Sequence, residues 1–197
     1  MSALPEAGPL RGLCIALLGA ESTGKTTLAA ALADQLAQDS GLRVSWVPEV
    51  LRLWCDERGR TPRVDEQEGI LREQHTRIDA AASTHDLVVC DTTAVMTAVY
   101  HRIVFGDRSL DALAAGLHRR VDLTLLTALD LPWQADGQQR DGPQVRAPVD
   151  GAIRELLSAH GLRWSRVSGS GRARLACAVD VVAPLLRQRQ GPADAAD

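Results

Sequence analysis

The chain has 197 residues, of which 45% are hydrophobic and 24% charged, and these values are typical of one soluble globular domain. A net charge of −3 argues against a general nucleic-acid-binding surface, and the lack of a long apolar run argues against a membrane segment or a signal peptide. The four cysteines lie far apart in the sequence, so we expect reduced thiols in a cytoplasmic protein.

A phosphate-binding loop lies near the start of the chain. An apolar run over residues 13–18 predicts a strand that is buried on both faces of a parallel sheet. It is followed by Gly19-Ala20-Glu21-Ser22-Thr23-Gly24-Lys25-Thr26, which matches the P-loop pattern G-x-x-x-x-G-K-[ST], and then by a predicted helix over residues 26–38. Lys25 is the only lysine among 22 basic residues. This order of strand, glycine loop and helix predicts a site for a nucleoside triphosphate.

Each part of the loop has a predicted role in holding ATP and Mg²⁺. Its backbone N–H groups and the start of the helix form a nest of partial positive charge for phosphates. The Lys25 ammonium would hold the β- and γ-phosphates, and the Thr26 hydroxyl would bind Mg²⁺. The predicted nucleotide-binding residues of the loop are Gly19, Glu21, Ser22, Thr23, Gly24, Lys25, Thr26 and Thr27.

Two acidic residues follow the next two predicted strands, over residues 44–47 and 86–91. Asp91 ends the later strand and is predicted to bind Mg²⁺, although an aspartate there also suits the cap of a following helix. Glu49 follows the earlier strand and is predicted to accept the proton of an attacking hydroxyl, although a glutamate there also suits a helix start. Arg52 lies one helical turn later and either pairs with Glu49 or holds a substrate group.

The other predicted elements are helices over residues 65–82, 94–104, 110–118, 149–160 and 172–187 and strands over 123–126 and 163–167, with a disordered tail from residue 188. Residues 131–148 are polar and rich in Gly, Pro, Gln and Arg, and they are predicted to form a mobile lid. Arg140 and Arg146 would contact phosphates or remain as solvated charges. Trp133 would stack on a flat ring or pin the loop. Arg172 follows a glycine-rich turn that can approach an adenine ring.

Alternating strands and helices predict an α/β fold, a three-layer P-loop NTPase with a central parallel sheet of about five strands. We expect one domain over residues 1–197, whose ligands bind beyond the carboxyl ends of the strands. The residues favour a kinase of a small-molecule hydroxyl, with no nucleic-acid or membrane partner. Two alternatives stay open: a kinase of a deoxynucleoside or nucleoside monophosphate, and a nucleotide switch that acts on a protein.

Taken together, these residues resemble the ribosylnicotinamide kinase domain of NadR-type proteins, in the P-loop kinase superfamily. The matching segments are residues 19–28, Val47-Pro48-Glu49 with Arg52, Asp91-Thr92, Val104-Phe105-Gly106, Leu131-Pro132-Trp133 and Ala135-Asp136-Gly137. The resemblance implies transfer of the ATP γ-phosphate to the 5′-hydroxyl of nicotinamide riboside, in NAD salvage.

The resemblance also implies roles for individual residues. Glu49 and Asp91 would serve the substrate hydroxyl and Mg²⁺, in an order that stays open. Trp133 and Asp136 would lie near the substrate, and Arg140 and Arg146 near the phosphates. Only 18 residues precede Gly19, so we expect no adenylyltransferase domain before the kinase.

Overall fold

The structure is a computed structural model that describes residues 11–134 and 142–190. Within these ranges, five parallel strands form one sheet in the order β2-β3-β1-β4-β5. The strands are β1 (Leu13–Leu18), β2 (Val44–Val47), β3 (Leu87–Asp91), β4 (Leu123–Thr127) and β5 (Ser165–Val167). The predicted α/β class and the parallel five-stranded sheet are therefore confirmed.

Helices cover both faces of this sheet. They are α1 (Lys25–Ser40), α2 (Val50–Arg58), α3 (Val64–Thr84), α4 (Ala94–Phe105), α5 (Asp111–His118), α6 (Arg146–Ala159) and α7 (Gly171–Gln190). Leu17 of β1 faces a core formed with α1 and α7, whereas its neighbour Leu18 faces a core formed with α3, α4, α5 and α6. Both faces of the central strands β1, β3 and β4 are buried, so these three strands are almost continuous apolar runs.

Three larger differences from the prediction concern α2, the start of α6 and the end of α7, whereas other elements shift by at most two residues at their ends. Helix α2 was not predicted, because its nine residues carry only a short apolar face, which packs against Ile70 of α3. Helix α6 begins at Arg146 and follows a 3₁₀ turn at Pro143–Val145, so the predicted lid ends earlier than residue 148. Pro148 lies in the first turn of α6, where a proline is tolerated because backbone N–H groups there have no partner within the helix.

The third difference is at the C-terminus, where α7 continues to Gln190 and residues 188–190 are helical rather than part of a disordered tail. The rest of the predicted tail lies outside the described residues. All four cysteines are free, and Cys14 and Cys90 are buried in β1 and β3. None of the described helices is long and apolar enough to span a membrane.

Candidate active site

The candidate site lies at the carboxyl edge of the sheet. Strand β1 sits between β3 and β4, so the connections that leave these strands diverge and open a crevice there. Gly19 follows β1, Asp91 ends β3, and Glu49 follows β2, which is one strand removed from β1. The strand order therefore brings the phosphate loop and both predicted acids to the same edge.

The backbone of the loop explains its glycines. Ser22 and Gly24 are left-handed, with φ of 52° and 74°. Gly19 has φ of 154°, and a Cβ atom built on it would lie 2.0 Å from Oγ1 of Thr127. No side chain fits at that distance, so Gly19 lets the loop lie directly against β4.

Threonines hold the loop from behind. Thr23 donates from Oγ1 to the carbonyl oxygen of Ala20 at 2.8 Å, and Thr127 donates to Thr23 Oγ1 at the same distance of 2.8 Å. Both threonines are fully buried. Their hydrogen bonds fix the loop before α1 begins at Lys25, where the unpaired backbone N–H groups of the first turn suit an anion. Sequence reasoning did not identify Thr127, because a threonine at the end of an apolar strand carries no distinctive pattern.

Lys25 is only 7% exposed and donates from Nζ to the carbonyl oxygen of Ala20 at 2.9 Å. Burial lowers the pKa of Lys25, and the carboxylates of Glu49, Asp91 and Glu21 oppose that change. These three acids, Glu21 in the loop itself, Glu49 after β2 and Asp91 at the end of the neighbouring strand β3, thus act on the same ammonium. Thr26 and Thr27 follow in the first turn of α1, half-buried and exposed respectively.

Asp91 has the geometry expected for a cation ligand. Its side chain is 1% exposed, and among the described residues no group donates a hydrogen bond to its buried Oδ1. An orphaned carboxylate oxygen is costly in a protein interior, and a cation would satisfy it. The following residue, Thr92, has φ of 73°, which is rare for a β-branched side chain. Thr93, rather than Asp91, then caps α4 by accepting from Val95 N at 3.3 Å.

These features fit Mg²⁺, which typically takes one or two carboxylates and completes its shell with water and substrate phosphates. The described residues contain no cluster of three or more His, Cys, Asp or Glu that would form a closed metal cage. Asp91 and the Thr26 hydroxyl are the residues that would hold the ion.

Glu49 is buried at the N-cap of α2, yet its side chain makes no capping hydrogen bond. One of its oxygens instead lies 3.7 Å from Nε of Arg52, so the structure brings the predicted pair together. A glutamate that only favoured the helix start would be solvated, whereas Glu49 is 8% exposed. Its burial therefore agrees better with a carboxylate that serves the crevice.

The first end of the lid segment contacts the phosphate loop, and the second end contacts the first. Ser22 donates from its hydroxyl to the carbonyl oxygen of Gln134 at 2.6 Å. At the other end, Arg146 is 8% exposed and donates from Nη1 to the carbonyl oxygen of Leu131 at 2.9 Å. Nε and Nη2 of Arg146 are buried and have no acceptor among the described residues. A buried guanidinium with two nitrogen atoms that have no acceptor is suited to a phosphate.

Of the four remaining predicted site residues, the structure describes two. Trp133 is half-buried, and its indole N–H has no acceptor in the part of the chain that the structure describes. Asp136 and Arg140 lie outside the described residues. Arg172 is exposed on the first turn of α7, and its predicted contact with adenine stays a prediction. Two residues later, Arg174 is buried against the phosphate loop, and sequence reasoning did not identify it.

Comparisons with known proteins agree with this fold. A family model described as an AAA domain matches residues 14–174. None of the curated proteins matches the chain. A crystal structure of NadR protein in complex with NR superposes with a TM-score of 0.70 and 19% identity, over 88% of this chain and 50% of that one. Thymidylate kinase from Ehrlichia chaffeensis superposes with a TM-score of 0.61 and 16% identity, over 89% of this chain and 99% of that one.

The likeness to NadR that the sequence motifs predicted is therefore confirmed as a likeness of fold. The chain spans about half the length of that NadR protein. The fold is that of the P-loop kinases.

Proposed function

We propose that this chain, which belongs to the AAA domain family, is an ATP-dependent kinase that phosphorylates the 5′-hydroxyl of nicotinamide riboside. The observation that carries the proposal is a second buried carboxylate, Glu49, across the crevice from Lys25. A nucleotide switch needs the phosphate loop and one acid for the metal ion. A kinase also needs a group that takes the proton of its acceptor, and Glu49 is available for that role.

The nucleotide half of the mechanism rests on buried cations. Lys25 would leave the Ala20 carbonyl to hold the β- and γ-phosphates as a point charge. Nε and Nη2 of Arg146, which have no described acceptor, would donate to the transferring phosphoryl group, while Nη1 keeps its bond to Leu131. Charge that spreads over the phosphoryl oxygens in the transition state is thereby met by fixed cations.

The acceptor half assigns the two acids to different roles. Asp91, with its orphaned oxygen beside the phosphate loop, would hold Mg²⁺ together with Thr26, and the bound ion would supply charge neutralisation on the phosphates. Glu49 would accept the proton of the 5′-hydroxyl while the oxygen of that hydroxyl bonds to the γ-phosphorus. The bond from that phosphorus to the β-phosphate oxygen breaks, and ADP leaves.

The charge of the crevice supports a cationic acceptor. Three carboxylates, those of Glu21, Glu49 and Asp91, act on Lys25, and Arg52 adds one further positive charge. With Mg·ATP in place, a neutral or positively charged riboside would enter at lower electrostatic cost than a nucleoside monophosphate. The pyridinium ring of nicotinamide riboside carries a positive charge and is flat, so Trp133 would offer it an aromatic face. The NadR relative was itself crystallised with NR.

ADP release over a panel of acceptors tests the proposal. Nicotinamide riboside should stimulate ADP release strongly, whereas uridine, thymidine and thymidine monophosphate should do so weakly. Stimulation by thymidine monophosphate alone would favour a nucleotide kinase. Hydrolysis of ATP that no acceptor accelerates would refute both kinase proposals and favour a switch.

The variant Glu49→Gln tests the assigned base. It should lower the transfer rate by about 100-fold or more while ATP affinity changes little, because the amide cannot accept the proton. Glu57→Gln is a matched control, since Glu57 is an exposed residue of the same helix. A transfer rate that Glu49→Gln leaves unchanged would show that Glu49 is not the base.

A further inference from the structure

One buried arginine lies behind the phosphate loop, in the first turn of α7. Arg174 is 3% exposed, and it donates from Nη1 to the carbonyl oxygen of Thr23. It also donates from Nε to the carbonyl oxygen of Gly169 at 2.7 Å and from Nη2 to the carboxylate of Asp130. The other oxygen of Asp130 accepts from the backbone N–H of Gly169 at 2.7 Å.

This guanidinium joins three segments that border the crevice. Thr23 belongs to the phosphate loop, Asp130 is the residue before the lid segment, and Gly169 lies in the turn between β5 and α7. Burial lowers the pKa of Arg174, and the charge of Asp130 is the main opposing influence. A lysine cannot reproduce the contacts, because its single ammonium cannot span three acceptors in the plane of a guanidinium fork.

The hydrogen bond from Arg174 to the Thr23 carbonyl also fixes the direction of the next N–H group, that of Gly24. The peptide between Thr23 and Gly24 is planar and trans, as no cis peptide bond occurs in the described residues. In a trans peptide, the C=O and N–H groups point in opposite directions. Arg174 holds the Thr23 oxygen towards α7, so the N–H of Gly24 must point away from α7. No described residue accepts a hydrogen bond from that N–H.

We infer that Arg174 is a positioning residue that keeps the Gly24 amide turned towards the bound phosphates. Without it, the Thr23–Gly24 peptide can rotate, because glycine tolerates most backbone conformations and Gly24 is already left-handed, with φ of 74°. A rotated peptide presents a carbonyl oxygen to the phosphates in place of an N–H. The inference rests on the proposed nucleotide-binding function of the loop and is independent of the acceptor.

Calorimetric titration with ADP and with pyrophosphate tests this role. Arg174→Lys should lower the affinity for each ligand about tenfold or more. The reason is that the hydrogen bond from the Gly24 amide to a phosphate is replaced by a contact between the Thr23 carbonyl and that phosphate. The matched control is Arg187→Lys, an exposed arginine of the same helix, which should bind both ligands as the wild type does. Equal binding by Arg174→Lys and the wild type would overturn the inference alone. A wild-type chain that binds neither ligand would overturn the proposed function as well.

Two further measurements separate positioning from general stability. Asp130→Asn keeps the bond from Arg174 to Thr23 but removes the charge partner, so it should lower the melting temperature and weaken ADP less than threefold. An affinity loss that simply follows the melting temperature in both variants would contradict a positioning role. In the wild type, the ¹H–¹⁵N resonance of Gly24 should shift when pyrophosphate is added. A resonance that does not respond would overturn the inference without any variant.

Discussion

Acidification should destabilise the protein through one buried histidine. His118, the last residue of α5, is buried between two hydroxyl groups: Nδ1 lies 2.8 Å from Thr93 Oγ1, and Nε2 lies 2.8 Å from Thr124 Oγ1. Burial lowers the pKa of His118 from 6.5 to about 4. The folded state therefore holds a neutral imidazole at pH values where the unfolded chain is protonated.

The size and sign of the effect follow from linkage. Between pH 6.5 and about 4, the unfolded state binds one proton more than the folded state, so the free energy of unfolding falls as the pH falls. The full separation of the two pKa values corresponds to about 3 kcal/mol, of which about 2 kcal/mol is lost between pH 7 and pH 5. This is a large part of the stability of an ordinary domain.

Urea unfolding at pH 7, 6 and 5 measures the loss. The wild type should lose about 2 kcal/mol over this range, whereas His118→Gln should lose much less, because it has no imidazole to protonate. Carboxylates such as Glu66 and Asp86, whose pKa values are lowered to about 2, lose their contribution only below about pH 4.5 and lie outside this range. His160→Gln, at the half-buried end of α6, serves as the control and should keep the wild-type slope. The reasoning fails if the wild type is equally stable at pH 7 and pH 5, or if His118→Gln keeps its slope.

Two further predictions concern the crevice. Trp133→Ala should raise the KM for the acceptor about tenfold while the KM for ATP changes little. Steady-state kinetics with each substrate varied in turn would check this. A change confined to the KM for ATP would contradict the proposed placement of Trp133. Gly19→Ala should destabilise the fold by about 2 kcal/mol or more and abolish ADP binding, because its Cβ would lie 2.0 Å from Thr127 Oγ1. Thermal melting and ADP titration would detect both effects, and wild-type values would disprove the steric argument.

The sequence was sufficient to predict that the candidate residues lie at one edge of the sheet. Strand patterns that precede Gly19 and Glu49 or end in Asp91 predicted that these residues lie at one edge of a sheet. The parallel topology then brought these ends together without knowledge of the strand order. Local patterns sufficed because the P-loop is a contiguous motif, and because burial on both faces gives the strands a strong apolar signal.

Contacts between distant segments were beyond local patterns. Arg172 was predicted beside the nucleotide, yet the buried arginine is Arg174, because residues two apart point to nearly opposite sides of a helix. The sequence did contain a pattern that could have identified this buried arginine. Arg174 lies four and eight residues before Ala178 and Val182, on the same buried face of the helix. A charged residue in the apolar stripe of an amphipathic helix marks a buried charge that needs partners.

Burial, more than residue type, separates the functional cations of this chain from the rest. In a sequence with 22 basic residues, identity alone marks only Lys25. Among the described residues, three basic side chains are buried, those of Lys25, Arg146 and Arg174, and all three contact the phosphate loop or the start of the lid segment. Burying a charge costs free energy that surface charges avoid. Asp130 balances the charge of Arg174, whereas the charges of Lys25 and Arg146 are available to the triphosphate of the proposed ATP ligand.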